Sequence, residues 1–137
     1  MTAQFKVRWT GKDSFSNYLK KSRECFNAAD NSFNLKEWNA SAINAIHSCI
    51  SACDAMCVYY LGRRHTGENH NEAVKLFKLT QPTEREISSN AIRLSRILSV
   101  KNIAEYEGRL ISMTEAEKIV KDCKRFIEYV RKQLPRQ

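Results

Sequence analysis

Leu35-Lys36-Glu37-Trp38-Asn39-Ala40-Ser41-Ala42-Ile43-Asn44-Ala45-Ile46-His47-Ser48-Cys49-Ile50-Ser51-Ala52-Cys53-Asp54-Ala55-Met56-Cys57-Val58-Tyr59-Tyr60-Leu61-Gly62 is the stretch that decides the fold. Ile43, Ile46, Ile50, Cys53, Cys57 and Tyr60 recur at intervals of three and four, the spacing that keeps side chains on one side of an α-helix. Ala40, Ala42, Ala45, Ser48, Ala52 and Ala55 are small, and small contact residues let neighbouring helices approach closely. Neither Gly nor Pro interrupts the pattern, and Gly62 stands where a left-handed stop belongs. The stretch predicts one helix from Leu35 or Lys36 to Leu61, the spine of a bundle.

The flanking sequence reads the same way. A first helix is expected after Asp13 or Ser14, carrying Phe15, Tyr18, Leu19, Ser22 and Phe26 and ending at the turn Asp30-Asn31-Ser32. Beyond Gly62, the polar residues Arg63 to His70 predict a loop, and Val74, Leu76, Phe77 and Leu79 a short helix. Thr83 and Glu86 suggest a capping box for the next helix, with Ile87, Ala91, Leu94 and Leu98 inward. That helix runs or bends through Lys101 to Tyr106 and stops near Gly108. A second box, Thr114 with Glu117, predicts a last helix that buries Ala116, Ile119, Cys123, Phe126 or Ile127, Val130 and Leu134. Its other face carries Lys121, Lys124, Arg125, Arg131 and Lys132, and Leu134-Pro135 ends it. The expectation is an all-α, single-domain, up-and-down bundle of about five helices with a long central helix. Residues 13–137 would form it. Residues 1–12 would be an arm in which Phe5, Val7 and Trp9 alternate with Lys6 and Arg8, as in a short strand.

Composition supports one domain: 137 residues, 42% hydrophobic and 28% charged, which excludes disorder. Four Gly and two Pro are too few for the many turns of a sandwich or barrel. Lys+Arg 23 against Asp+Glu 15 leaves +8, which favours nucleic acid, nucleotides, an acidic protein or anionic lipid as partner; a solubility surface is the plainer reading. No apolar run approaches the ~18 residues of a membrane span. Met1-Thr2-Ala3-Gln4-Phe5-Lys6 lacks the apolar core of a signal peptide, so a cytoplasmic chain without membrane contact is expected. The five cysteines contain no CxxC pair. Cys49, Cys53 and Cys57 share a helix side, but the outer two lie about 12 Å apart, too far to hold one ion. Neither a metal nor another cofactor is expected.

Two polar groups could carry chemistry. Asn44, His47, Ser51 and Asp54 form a polar stripe along the spine, either lining a pocket or meeting solvent and a neighbouring helix. Arg63, Arg64 and His70 are the sharper set. An arginine fork grips phosphate and a histidine moves a proton near neutral pH, the two needs of a metal-independent RNase, for which Arg64 and His70 are the catalytic candidates. His70, following Asn69, reads equally as a helix-start residue. The chain has no Gly-rich phosphate loop, nucleophile elbow or HExxH pattern.

Three segments in order resemble the HEPN superfamily of small helical domains linked to nucleotide and RNA biology. Ala45-Ile46-His47-Ser48-Cys49 is similar to the family's small-residue central helix with one histidine. Asn69-His70-Asn71-Glu72-Ala73-Val74 is similar to its loop histidine opening the next helix. Arg93-Leu94-Ser95-Arg96-Ile97-Leu98 followed by Lys101-Asn102-Ile103-Ala104-Glu105-Tyr106 is similar to its basic stretch and Ala-acid-Tyr triplet. The family's nuclease members carry an Arg-polar motif and a histidine entering a late helix, where this chain has Lys101-Asn102 and Glu105-Tyr106. The family's tyrosines before the central histidine are Ala42 and Ile43 here, and the interval from His47 to His70 is about two turns longer. The resemblance thus implies the non-nuclease branch: a nucleotide- or RNA-binding, toxin–antitoxin-like module, dimeric, beside a nucleotidyltransferase or toxin partner.

The leading expectation is a non-catalytic homodimer that binds nucleotide or RNA at one anionic site made by Arg63, Arg64, His70, Lys101 and Tyr106. The dimer would use faces of the spine helix that one neighbour cannot cover. A metal-independent RNase and a purely structural interaction protein are the alternatives.

Overall fold

A computed structural model describes residues 5–137; the first four residues of the N-terminal arm, and with them most of the leader reading, lie outside the described residues. The elements in chain order are β1 (Val7–Trp9), a 3-10 turn (Lys12–Ser14), α1 (Phe15–Asn34), α2 (Trp38–Leu61), β2 (Arg63–His65), α3 (His70–Thr80), α4 (Ile87–Ser99), α5 (Lys101–Tyr106) and α6 (Met113–Gln133). The chain is a single-domain all-α bundle around α2, with one small antiparallel ladder of β1 and β2.

Gly62 ends α2 in the left-handed conformation at φ 67°, and its N–H bonds back to Val58. α1 runs past the expected turn at Asp30-Asn31-Ser32, because Ala29 is fully buried and Phe33 packs on Trp38 at 5.1 Å. It stops instead at Lys36, a non-glycine residue at φ 61°, where the Lys36 and Glu37 N–H groups bond back to Phe33 and Ser32. Packing has overridden weak local helix propensity.

Buried serines weld α1 to α2. Ser22 Oγ donates to the Ser48 carbonyl at 2.8 Å, Ser48 Oγ donates to the Ser22 carbonyl at 2.6 Å, and Ser41 Oγ donates to the Ala29 carbonyl at 2.8 Å. Pairing 22 with 48 and 29 with 41 makes the two helices antiparallel. α6 lies parallel to α2: the Ile111 N–H just before it bonds to Asn39 Oδ1 at 2.8 Å, and Tyr60 donates to the Gln133 carbonyl near its end. α1, α6, α3, α4, α5 and β2 all pack on α2. The spine's small and apolar faces are therefore mostly covered within one chain, and of the residues of α2 only His47 is exposed. Cys49, Cys53, Cys57 and Cys123 are buried as small hydrophobes, and Cys25 is half-buried.

Two capping expectations shift. α4 starts at Ile87 rather than behind Thr83: the Glu84 carboxylate, held by the Tyr129 hydroxyl of α6, accepts from the Glu86 N–H at 3.0 Å and organises the turn. α6 is capped by Ser112 and Glu115, not Thr114 and Glu117; the Glu115 N–H bonds to Ser112 Oγ at 3.2 Å and the Ser112 N–H to Glu115 Oε1 at 3.0 Å. Both pairs fit the S/T-x-x-E spacing. Arg109 decides between them by gripping Glu115 with two hydrogen bonds of 3.0 and 2.9 Å. A third correction concerns apolarity. α2 is long and apolar enough by composition to cross a membrane, at a mean hydropathy of 1.2, because alanine and cysteine supply what no unbroken apolar run does; 67% of that window is buried in the bundle.

Candidate functional site

Backbone pairing builds one wall of the site. β1 lies antiparallel to β2 with Val7 opposite His65, Arg8 opposite Arg64 and Trp9 opposite Arg63. The expected loop at 63–70 is thus a strand over its first three residues. Successive strand side chains point to opposite faces, so Arg63 and His65 share one face and Arg64 takes the other. Gly67 and Glu68 turn the chain, and Asn69 caps α3 by accepting the Glu72 N–H at 3.1 Å. His70 is the first residue of α3, as its cap-region reading anticipates. α4 breaks at Val100, and α5 follows at once with Lys101 at its start and Tyr106 at its end.

These elements enclose a cleft of about 690 Å³. Ile50 and Cys53 of α2, with Leu94 and Leu98 of α4, contribute apolar surface; Asp54, His65, His70, Lys101 and Tyr106 contribute polar atoms. The structure therefore brings together three of the five residues expected to share a site: His70, Lys101 and Tyr106. Arg63 and Arg64 do not line the cleft. Arg63 places its guanidinium carbon 5.3 Å from the Trp9 ring centre, and Arg64 places its own 5.8 Å from that of Tyr18. Strand alternation turns Arg64 to the face opposite His65, and Arg63, on the His65 face, stands two residues further along the strand against Trp9. The proposed catalytic pair Arg64 and His70 is divided in the same way, with only His70 in the cleft.

The polar stripe of α2 also divides. Asn44 Nδ2 donates to the Ala40 carbonyl of its own helix at 2.9 Å, and His47 Nε2 meets Glu105 Oε1 at 2.5 Å. Only Asp54 reaches the cleft. Two turns of helix separate it from His47, too far for a shared pocket.

Electrostatics make the cleft a titrating site. Burial pushes the Asp54 carboxyl up to about 7, against the opposing pull of Arg64 and Lys21. Burial, with the charges of Lys101 and His65, holds the His70 imidazole below its ordinary range. His65 is a site residue that the sequence reading missed. Its side chain is only 9% exposed, and its Nε2 stands 3.5 Å from Glu72 Oε1 without a hydrogen bond among the described residues. The available signal was the alternation of Phe5, Val7 and Trp9 with Lys6 and Arg8, and it points to His65 only once β1 is known to pair there. Among the described residues no cluster of His, Cys, Asp and Glu could hold a metal ion.

No family model matches the chain, and no curated protein matches it.

Proposed function

We propose that the cleft binds a nucleotide, free or as a unit of RNA, and that the protein is a non-catalytic binding module. One observation carries this reading: Lys101, His70 and the exposed Tyr106 line a single cleft together with the apolar surface of Ile50, Leu94 and Leu98. A phosphate suits Lys101 and His70 at the start of α3. A base suits the aromatic face of Tyr106, which is 74% exposed, or the apolar surface beyond it. The volume lies within the ~300–1,000 Å³ usual for small-ligand clefts. The resemblance to non-nuclease HEPN domains points the same way, and the homodimer and the nucleotidyltransferase or toxin partner belong to that resemblance.

The test is titration of labelled AMP and short RNA at about 50 mM salt. Lys101→Ala is expected to weaken both by about tenfold or more, the value of one charge-assisted hydrogen bond of ~1.5–3 kcal/mol. RNA affinity is expected to fall steeply as salt rises, through counterion release. Binding that is absent at low salt, or indifferent to Lys101→Ala, overturns the reading.

A further inference from the structure

Trp9 takes no part in the cleft or the core. It stands opposite Arg63 in the ladder, with the guanidinium carbon 5.3 Å from its ring centre, yet it is 71% exposed. Tryptophan is highly buried on average, so a side chain this open gains little from folding. Its surroundings are strongly basic. Lys6, Arg8 and Lys12 are exposed near it in sequence, and none of Lys6, Arg8, Arg63 and Arg64 forms an ion pair among the described residues. Arg8 directly faces Arg64, a like-charge cross-strand pair that costs stability. The ladder therefore combines an open aromatic ring with the Arg8 and Arg63 charges, neither of which has an ion-pair partner among the described residues, a composition complementary to a phosphate-linked base.

The ladder also connects this ring to the cleft. Trp9 and Arg63 lie on the same ladder face as Val7 and His65, and His65 lines the cleft. Two residues along a strand cover about 7 Å, roughly the reach of one extended nucleotide. At the other end of the ladder, beyond His65, the Lys6 stem and His65 Nε2 crowd Gly67: a Cβ there would stand 3.3 Å from each. A chain that reaches Trp9 would leave the cleft past His65 and follow the ladder face towards Arg63.

We infer that Trp9, backed by Arg63, is a second base-binding subsite, and that the ligand is a single-stranded oligonucleotide of two or more units rather than a free mononucleotide. The inference rests on the cleft reading above. One base stacks at the cleft and the next on the indole. Arg63 holds the ring from behind by cation–π contact.

The experiment compares AMP with a single-stranded adenylate hexamer on the intact protein and on Trp9→Ala, Trp9→Phe and Lys101→Ala. Trp9→Ala is expected to weaken the hexamer about tenfold or more, the usual value of one stacked base, and to leave AMP unchanged. Trp9→Phe keeps a stacking ring and is expected to stay close to the parent. Lys101→Ala weakens both ligands. Because Trp9 is exposed, both variants should keep the parent circular dichroism. If Lys101→Ala weakens both ligands while Trp9→Ala changes neither, the second subsite is wrong and the cleft reading stands. If neither nucleic-acid ligand binds and polyglutamate does, both are wrong and the basic ladder serves an acidic protein.

Discussion

His47 of α2 and Glu105 of α5 meet at 2.5 Å, Nε2 to Oε1, and this contact ties the shortest helix of the bundle to its spine. α5 has six residues, far fewer than an isolated helix needs to persist in water. Tertiary contacts must hold it, and the buried Ala104 and this polar tie supply them. α5 also carries Lys101 and Tyr106, so the tie positions one wall of the cleft.

His47→Ala leaves the Glu105 carboxylate, only 9% exposed, without its partner. A cost of about 1–3 kcal/mol follows from stranding such an acceptor. Amide exchange at residues 101–106 is expected to accelerate while that of α1 does not, and ligand affinity should fall although His47 touches no ligand. Unchanged exchange in α5 would show that the tie is incidental.

The His70 imidazole is held low by burial and by Lys101 and His65. A bound phosphate reverses that balance and raises the group's affinity for a proton, so the complex holds the proton more tightly than the free protein. Affinity is therefore greatest below the free protein's transition and is lost as pH rises through that of the complex. Nucleotide titrations from about pH 5.5 to 8 should show this decline, and His70→Asn should flatten it. A pH-independent affinity in the parent protein would place the phosphate elsewhere.

The helical architecture was legible because α2 and α6 state their periodicity over 24 and 21 residues and end at Gly62 and at Leu134-Pro135. Boundaries that depend on a partner were not legible. α1 outlasts Asp30-Asn31-Ser32 because Phe33 finds Trp38, and the box at Ser112 outcompetes that at Thr114 because Arg109 holds Glu115. The site shows the same division. His70 could be placed at a helix start from its own neighbourhood, whereas Lys101 and Tyr106 were joined to it only by the family resemblance; the three line one cleft. The separation of Arg63 from Arg64 follows from the pairing of 63–65 with 7–9, across more than fifty residues of chain, and no local pattern announces that pairing.

Ser22 and Ser48 each use their hydroxyl to reach the other helix's carbonyl inside the core. Both are almost fully enclosed, so no room exists for added carbon. Ser48→Val is expected to destabilise by about 1–3 kcal/mol through overpacking together with loss of the hydrogen bond. Ser48→Ala should cost less, at about 1 kcal/mol. Chemical denaturation ranks the two; equal costs would mean that α1 can move away from α2.

Ser112→Ala is expected to lose about 1 kcal/mol, the ordinary value of a cap, while Thr114→Ala is expected to lose less. Glu115 adds a pH signature. Hydrogen bonds from Arg109 and Ser112 pull its carboxyl down to about 2, so its stabilising contribution is complete above its ordinary 4.5 and disappears as pH falls towards 2. Thermal melts of the two serine and threonine variants settle which residue is the cap. A larger loss for Thr114→Ala would reverse the assignment.

Asp54 gives the opposite pH dependence, and its sign follows from which state holds the proton. Burial lifts its carboxyl from an ordinary 3.8 to about 7 in the folded chain. Between those values the unfolded chain has released the proton and the native chain still holds it, so the unfolded state binds fewer protons and stability falls as pH rises. The full displacement is worth up to about 4 kcal/mol, reached above pH 7 and absent below 3.8. Asp54→Asn cannot ionise and escapes this loss. It should therefore stabilise the protein most at about pH 8 and scarcely at pH 4, as read from urea midpoints at each pH. Arg64 opposes the lift, and it does so from outside the cleft, so Arg64→Ala should raise the Asp54 transition further without removing a ligand contact. Carboxyl-carbon NMR of Asp54 in the two backgrounds measures the transition directly. A transition near 4 in the intact protein would mean that water reaches the carboxylate and that the cleft is wetter at Asp54 than its burial implies.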